Sequence, residues 1–505
     1  MLNLTDFKKK VALVLACTSI FGGKTCGTEG IKSKEVTGAS PVGEKYHPKN
    51  FTNFKRTENL KKYLIAGGFT VGTFALIFGI IKLINYFNNK KIIEKQSNLN
   101  KLIGVDDNDA INKSDVLSDE LLKRYLKLPM IPKSIIEINS KIQNGVYFND
   151  FGKATYKNDK LASEYYGPLN IDKERTELEK DIDKLVDDGL MHLKYTTEEQ
   201  LDRLIESVKN NSESVKMPGA RFYSGGEHDE KNVPGTDFFK YKSAKNSMAV
   251  VCSQYNALES CDDYVSALPN WFYDGTQGPR MSLSAYLYAM LRISSYRKNK
   301  LNDAIDNVLG KELMNLPVSQ GHVLYQHGYL NLARAYQHKL LSGDNWKALV
   351  DTVAKNIRNF KLNFQWVLCN DGTPMIQVFA AAPCMQGMYR WWKGEDAKEV
   401  EKIMKLCNPI CKTIQVHQMK MIGKLAKLRR MVSGKSFALH AWLPGGRSFA
   451  NHPDVLQAAA EALIDEVRDV DIDVYFHNRT KGNPLEKALR ANGVEFKTTK
   501  GLELK

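Results

Sequence analysis

The segment His440–Leu463, with the sequence HAWLPGGRSFANHPDVLQAAAEAL, joins an apolar run to an amphipathic one through a loop that contains two glycines. From Pro453 onward the apolar residues recur at helical spacing, and a proline suits a first helical turn because its missing N–H costs nothing there. Apolar runs of strand length, Phe437–Trp442 and Ile472–Phe476, lie on either side. The pattern predicts a βαβ unit, whose right-handed crossover places the loop at the carboxyl edge of a sheet, where open α/β folds bind ligands.

The loop Pro444–Asn451 is open to two interpretations. Gly445 and Gly446 can make a tight turn that needs no ligand. The same glycines can let the backbone approach a phosphate at the N-terminus of the following helix, with Arg447 adding a positive charge. The loop alone does not decide between them.

Two further runs, Ser247–Ser253 and Met375–Ala382, are continuous apolar segments typical of buried parallel strands. Helical patterns lie at Met281–Ile293 and at Lys398–Val432, and we expect the second to break at Pro409. Strands that alternate with helices predict an α/β domain.

Four blocks in the C-terminal half occur in a characteristic order: VVCSQYNALE (Val250–Glu259), DGTQGPR (Asp274–Arg280), QVFAAAP (Gln377–Pro383) and WLPGGRSFAN (Trp442–Asn451). In this order they resemble the strand that ends in Asn, the first phosphate loop, the central strand and the second phosphate loop of macrodomains, the ADP-ribose-binding α/β fold. The resemblance covers roughly residues 217–480. It implies a macrodomain-like three-layer αβα domain at residues 217–505. Such a domain is expected to bind ADP-ribose or a related nucleotide diphosphate, and the resemblance also allows hydrolysis of an ADP-ribosyl bond.

The resemblance also implies a role for particular residues. Asn256 lies beside the distal ribose, and Asp274 orients a water molecule against the anomeric carbon. The remaining ligand contacts come from the two phosphate loops, at Gly275, Gln277, Gly278, Gly445, Gly446, Arg447, Ser448 and Phe449. Each also has a plain structural interpretation, because Asn ends strands and Asp-Gly pairs form turns without any ligand.

The second loop departs from the family pattern, since Arg447 and Ser448 stand where the family has smaller residues. This bulk leaves an alternative function, a membrane-tethered protein-interaction module on a ligand-free scaffold of the same fold. A third possibility is a basic domain that binds phosphoinositides. Cys384, after a strand end, is a candidate nucleophile, although buried thiols are usually inert.

Metal, cofactor and nucleic-acid sites are not predicted. Cys407, Cys411 and His417 are metal-ligating residue types, but no fourth ligand accompanies them. The chain carries a net charge of +15, which favours anionic partners, yet it has no motif of a nucleic-acid-binding fold, so nucleic acid is an unlikely partner. Eight cysteines in 505 residues are too few for a disulfide scaffold.

The N-terminal part is predicted to address a membrane. Residues 1–23 combine a basic start with a short apolar run, which indicates a signal peptide or signal anchor, with lipidation at Cys17 as an option. After a polar loop at residues 24–62, residues 63–87 are long and apolar enough for a transmembrane helix. Residues 88–216 are expected to form a linker and a helical region. If both apolar segments insert, the C-terminal domain faces the cytoplasm.

Overall fold

The structure is a computed structural model, and it describes residues 116–129, 131–143, 172–190, 193–211, 218–225, 244–258, 285–298, 300, 303–319, 322–326, 328–337, 343–369, 372–385, 397–445, 449–477, 490–491, 493 and 496–499. The chain divides into two compact units, Met1–Ile77 and Phe78–Lys505, and every described residue belongs to the second unit. The predicted signal segment 1–23, polar loop 24–62 and transmembrane helix 63–87 lie outside the described residues. Among the helices that are described, none is both long and apolar enough to cross a bilayer.

The strands, in chain order, are β1 (Lys194–Thr196), β2 (Arg221–Gly225), β3 (Met248–Ser253), β4 (Pro317–Ser319), β5 (His322–Val323), β6 (Tyr325–Gln326), β7 (Tyr329–Leu330), β8 (Leu362–Leu368), β9 (Pro374–Ala381), β10 (Ala438–Ala441), β11 (Asp473–Phe476) and β12 (Phe496–Thr499). The helices are α1 (Asp119–Lys127), α2 (Lys133–Gln143), α3 (Asp172–Asp187), α4 (Glu198–Asn211), α5 (Tyr286–Arg297), α6 (Asp306–Met314), α7 (Leu332–Gln337), α8 (Gly343–Asn356), α9 (Ala397–Ser433) and α10 (Pro453–Val467), with a short 3-10 helix at Ile357–Asn359.

Eight of the strands form one mixed sheet in the order β1-β8-β9-β3-β10-β11-β2-β12. Neighbouring strands from β9 to β12 run parallel, while β8 is antiparallel to both β9 and β1. All four strands predicted from apolar runs are present as β3, β9, β10 and β11, and β10 and β11 are parallel neighbours as the predicted βαβ unit requires. The mixed α/β architecture is therefore confirmed.

The predicted amphipathic helix of the βαβ unit is α10. His452 is its N-cap and Pro453 its first residue. Each residue of the predicted apolar stripe is buried, namely Val455, Leu456, Ala459, Ala460, Leu463, Ile464 and Val467. The stripe packs against α9, so the helix is held by its apolar face, as expected for a surface helix on a sheet.

Helices cover both faces of the sheet. On one face the Arg429 guanidinium of α9 lies over the Trp366 ring of β8, at 5.0 Å from its centroid. On the opposite face the Arg292 guanidinium of α5 lies over the Phe379 ring of β9, at 4.7 Å. The two rings point to opposite faces because Trp366 pairs with Ile376, and residues 376 and 379 alternate in orientation.

The expected break at Pro409 is wrong, because the 37-residue helix α9 runs unbroken from Ala397 to Ser433 with the proline inside it. Proline removes one backbone hydrogen bond from a helix. Here the residues after it are buried in the core, with Ile410, Cys411 and Ile414 each at most 1% exposed. Tertiary packing therefore holds the helix together across the proline.

The predicted boundary at residue 217 does not separate two cores. The strand β1 lies before it, yet it pairs with β8 at the edge of the same sheet. Helices α1 and α4, also before it, pack against α9, and one hydrophobic core extends from Leu117 to Phe476. The segment predicted as a linker and helical region thus completes the α/β domain from residue 116 onward.

Candidate functional site

Three adjacent parallel strands, β9, β3 and β10, bring the predicted ligand-binding segments to one edge of the sheet. β3 is hydrogen-bonded to both of its neighbours, and all three strands run in the same direction. Their carboxyl ends lead into Pro383, Asn256 and the loop Pro444–Asn451 respectively. Three of the four sequence blocks therefore meet at one edge of the sheet, because parallel strands end at the same side.

Asn256 is buried in a turn after β3, where it is 2% exposed. Its side-chain Oδ1 accepts a hydrogen bond from the Leu258 backbone N–H at 3.2 Å, and the next residue, Ala257, has the unusual φ of 58°. The Nδ2 group is buried without a hydrogen-bond partner. Since the Oδ1 acceptor is identified by a backbone N–H, the Nδ2 donor is the part of the amide that is left available.

The hairpin of β6 and β7 connects Asn256 with the second loop. A Cβ atom added to Gly328, whose φ is +87°, would lie 2.5 to 2.8 Å from three atoms of the Asn256 carboxamide. The Gly328 carbonyl accepts the Tyr255 N–H at 3.0 Å. The adjacent Tyr329 ring stacks on Phe449, with centroids 5.6 Å apart and planes 15° apart. Asn256 and Phe449, separated by almost two hundred residues, are thus joined through two consecutive hairpin residues.

The second loop is closed on itself and attached to the end of β9. Asn451 donates its backbone N–H to the Gly445 carbonyl at 2.8 Å. Its Nδ2 group donates to the Pro383 carbonyl at 2.8 Å and to the Phe449 carbonyl at 3.1 Å. The Phe449 carbonyl also accepts the Met385 N–H at 2.8 Å. These bonds fix the two ends of the loop, at Gly445 and at Phe449–Asn451, ahead of α10.

Two glutamines on α9 bind the backbone at the start of the second loop and at the end of β9. Gln415 donates from Nε2 to the Pro444 carbonyl at 3.2 Å. Gln418 binds Ala381, the last residue of β9, on both sides: its Oε1 accepts the Ala381 N–H and its Nε2 donates to the Ala381 carbonyl, each at 3.0 Å. Both glutamines are fully buried. The strand end and the loop are therefore positioned by a helix that follows β9 in the chain.

Two buried acceptor oxygens remain in this cluster. Asn451 Oδ1 and Gln415 Oε1 have no hydrogen-bond partner. Both amide orientations are fixed, because in each the NH₂ group faces a backbone carbonyl. Buried polar atoms are nearly always satisfied in folded proteins, and an exception points to a bound water molecule or ligand. Among the residues of this cluster that the structure describes, Asn256 Nδ2, Asn451 Oδ1 and Gln415 Oε1 thus give one donor and two acceptors without a partner.

Asp303 is an ionisable group close to the end of β3. It precedes Ala304, whose N–H donates to the Tyr255 carbonyl at 2.9 Å. Burial raises the pKa of the Asp303 carboxyl to about 7, and the nearby Asp306 carboxylate contributes, while the Tyr325 hydroxyl and Lys361 oppose the shift. Near neutral pH this carboxyl can therefore either hold or release a proton.

An aromatic group flanks the second loop on the side of β11. The Trp442 ring stacks on His477 with centroids 4.0 Å apart. His477 Nε2 lies 2.9 Å from His440 Nδ1, so one imidazole donates and the other accepts. Burial, with a further contribution from His440, holds the pKa of His477 well below its usual value. The His477 imidazole is therefore neutral at physiological pH.

The thiol candidates behave as core residues. Cys407 and Cys411 are buried on α9, and burial raises the pKa of the Cys407 thiol to about 12. Cys384 is also buried, and its backbone N–H donates to the Leu330 carbonyl at 2.8 Å. Burial lowers the pKa of His417 to about 4. Among the described residues no group of three or more metal-ligating side chains is present.

The structure places three of the predicted site residues, Asn256, Gly445 and Phe449, in this cluster. The others lie outside the described residues: Asp274, Gly275, Gln277, Gly278, Gly446, Arg447 and Ser448. Five contributors were missed from the sequence, namely Gly328, Tyr329, Gln415, Gln418 and Asn451. Of these only Asn451 had a local signal, an Asn that ends the glycine loop just before a helix start.

Comparisons with known proteins return solved structures only. No protein-family model and no curated protein sequence matches the chain. Poly(ADP-ribose) glycohydrolase from Deinococcus radiodurans in complex with ADP-ribose matches 59% of this chain and 93% of its own, at 12% identity and a TM-score of 0.26. A second structure of that complex gives 11% identity and 0.27, and the apo form gives 12% and 0.23.

Proposed function

We propose that the carboxyl edge of β9, β3 and β10 binds ADP-ribose or a related nucleotide diphosphate. The observation that carries this proposal is the buried Asn256 Nδ2 donor, which has no partner and lies at the edge where the second loop also ends. A ribose hydroxyl both donates and accepts hydrogen bonds, so it complements a mixed set of amide donors and acceptors. A bare phosphate only accepts, and its partners would be the backbone N–H groups of the loop and the Arg447 side chain.

The finer assignments extend this proposal to residues outside the described part. Gly275, Gln277 and Gly278 would contact the ligand from the first loop, and Gly446, Arg447 and Ser448 from the second. Asp274 would orient a water molecule for hydrolysis of an ADP-ribosyl bond. What supports them is their position in the ordered sequence blocks.

Binding of ADP-ribose to the full-length protein, measured by calorimetry, tests the proposal. The informative variant is Asn256→Asp, because it keeps an oxygen to accept the Leu258 N–H and replaces the Nδ2 donor with a carboxylate oxygen. We expect a loss of affinity of about tenfold to a hundredfold, the usual effect of removing one hydrogen bond from a buried contact. A fragment of residues 217–505 is unsuitable, since it lacks β1 and α4 of the same core.

Asn139→Asp is a matched control. Asn139 is as buried as Asn256, and its Nδ2 donates to the carbonyl of Cys369, the residue after β8. Because β8 is antiparallel to β9, the carboxyl end of β8 lies at the edge of the sheet opposite to the candidate site. A new carboxylate there should lower stability and leave the affinity for ADP-ribose unchanged. If the unmodified protein gives no heat at millimolar ADP-ribose, the binding proposal is wrong, and the ligand-free interaction module becomes the better description.

We further propose that the protein is attached to a membrane by residues 1–23 and 63–87, with the α/β domain on the cytoplasmic side. The uncharged run Leu64–Ile81 between flanking lysines supports this. Sodium carbonate extraction of membranes, followed by protease protection of a C-terminal tag, tests both parts. Recovery of the protein in the carbonate supernatant would exclude an integral membrane anchor.

A further inference from the structure

Asn451 connects three backbone segments, two through its side chain and one through its backbone N–H. Its Nδ2 group bridges the Pro383 carbonyl after β9 and the Phe449 carbonyl within the loop. Its own N–H closes the loop on Gly445 at 2.8 Å. The residue is 4% exposed, so these bonds are shielded from water. Shielded bonds of this kind leave their acceptors unsatisfied when the donor is removed.

The space around Gly445 is filled by the same set of residues. Gly445 has a φ of +95°, and a Cβ atom added to it would lie 3.0 Å from Asn451 Cγ, 2.9 Å from Gln415 Nε2 and 3.0 Å from the Ala382 Cβ. The loop therefore has little freedom to move at this end. Its conformation depends on amide side chains, since no strand pairs with it in the described part of the chain.

Phe449 is the loop residue most directly controlled by Asn451. Its carbonyl accepts hydrogen bonds from Asn451 Nδ2 and from the Met385 N–H, and its ring stacks on Tyr329. Loss of the Asn451 amide removes one of the two bonds that fix the Phe449 backbone. It also removes the bond that ties this part of the loop to Pro383.

We propose that Asn451 is a positioning residue of the candidate site: its carboxamide holds the Phe449 backbone against Pro383, at the end of β9. The proposal deepens the proposed function and rests on it for the consequence in ligand binding. The loop geometry itself does not depend on that function. The two parts can therefore be tested separately.

The first experiment needs no ligand. The full-length protein carrying the Phe449→Trp reporter is labelled with 5-fluorotryptophan, and the added ¹⁹F resonance is compared with and without Asn451→Ala. We expect a single sharp resonance with Asn451 present and a shifted, broadened one without it. An unchanged resonance would overturn the positioning role. Should Asn451→Ala not fold, Asn451→Ser is used, because a short hydroxyl side chain cannot reach both carbonyls.

The second experiment measures affinity for ADP-ribose in the absence of the reporter. We expect Asn451→Ala to weaken binding by about tenfold or more, as expected for the loss of two hydrogen bonds that organise the loop. Asn139→Ala, which removes a buried amide at the opposite edge, should lower the melting temperature and leave the affinity within about twofold.

The outcomes separate the two claims. A shifted resonance together with weaker binding supports both. A shifted resonance in a protein that binds no ADP-ribose in any form supports the positioning role and refutes the proposed function. Equal losses of affinity in Asn451→Ala and Asn139→Ala would show a general effect of stability and would overturn the role of Asn451 in binding.

Discussion

Asp303 combines a buried carboxyl oxygen with a neighbouring carboxylate, and this predicts an unusual dependence of stability on pH. Its Oδ1 atom is buried without a hydrogen-bond partner, and the pKa of the carboxyl is raised from 3.8 to about 7, chiefly by burial and then by Asp306. Because the folded protein binds this proton more tightly than the unfolded chain, the stabilising contribution is complete below about pH 4. It is lost as the pH rises towards 7.

The magnitude follows from the size of the shift. A pKa difference of about 3 units corresponds to about 4 kcal/mol of folding free energy between low pH and pH values above 7. This is an upper bound, since part of the residue surface remains in contact with water. Asp303→Asn keeps the shape of the side chain and cannot ionise. The variant should therefore gain stability relative to the unmodified protein as the pH increases, by up to about 3 kcal/mol between about pH 5 and pH 8.

Urea unfolding of both proteins across this pH range measures the difference directly. The control is Asp119→Asn, because the hydrogen bond from Arg203 lowers the pKa of Asp119. Its contribution changes only below about pH 4, so the control should lose a constant amount of stability over the measured range. A difference between Asp303→Asn and the unmodified protein that does not vary with pH would refute the reasoning about burial.

Three other substitutions test the remaining features. Gly445→Ala should lower the free energy of unfolding by about 2 kcal/mol, because alanine is strained at φ +95° and its Cβ has three close neighbours. An unchanged melting temperature would contradict the geometry around Gly445. Lys424→Met should cost about 2 kcal/mol, since it removes the cation 2.7 Å from the buried Glu198 carboxylate and leaves the more exposed Lys420, at 3.3 Å, to offset the charge. Adding Glu198→Gln should restore most of the loss. Burial lowers the pKa of His417 to about 4, so the stability of the protein should fall as the pH drops from about 6.5 to 4. His417→Leu should remove about 3 kcal/mol of that fall. An equally steep loss of stability in the variant would contradict this reasoning.

Local patterning in the sequence determined the α/β class and most of the elements that form the candidate site. Continuous apolar runs predicted β3, β9, β10 and β11, and a helical stripe predicted α10. These succeed because a strand buried on both faces and a helix buried on one face each impose a periodicity that depends on near neighbours in the chain. The position of the glycine loop at a carboxyl edge followed from its place directly after a strand of the βαβ unit.

Pairings over long sequence distances could be read only from the tertiary structure. The short strand β1 carries too few residues to show a hydrophobic pattern. Its partner in the sheet, β8, lies more than 160 residues further along the chain. The continuity of α9 through Pro409 depends on the burial of Ile410, Cys411 and Ile414 in the core, which no local propensity encodes.

The same distinction applies to the site. The sequence identified Asn256, Gly445 and Phe449 because they lie in recognisable blocks, but it gave no reason to select Gly328, Tyr329 or Gln415. Their roles arise when a hairpin and a helix are brought against strand ends that are distant in the chain. Hydrogen bonds from buried amides depend on where backbone carbonyls end up in space. The tertiary structure alone therefore decided that the loop Pro444–Asn451 is held by amide side chains next to Asn256.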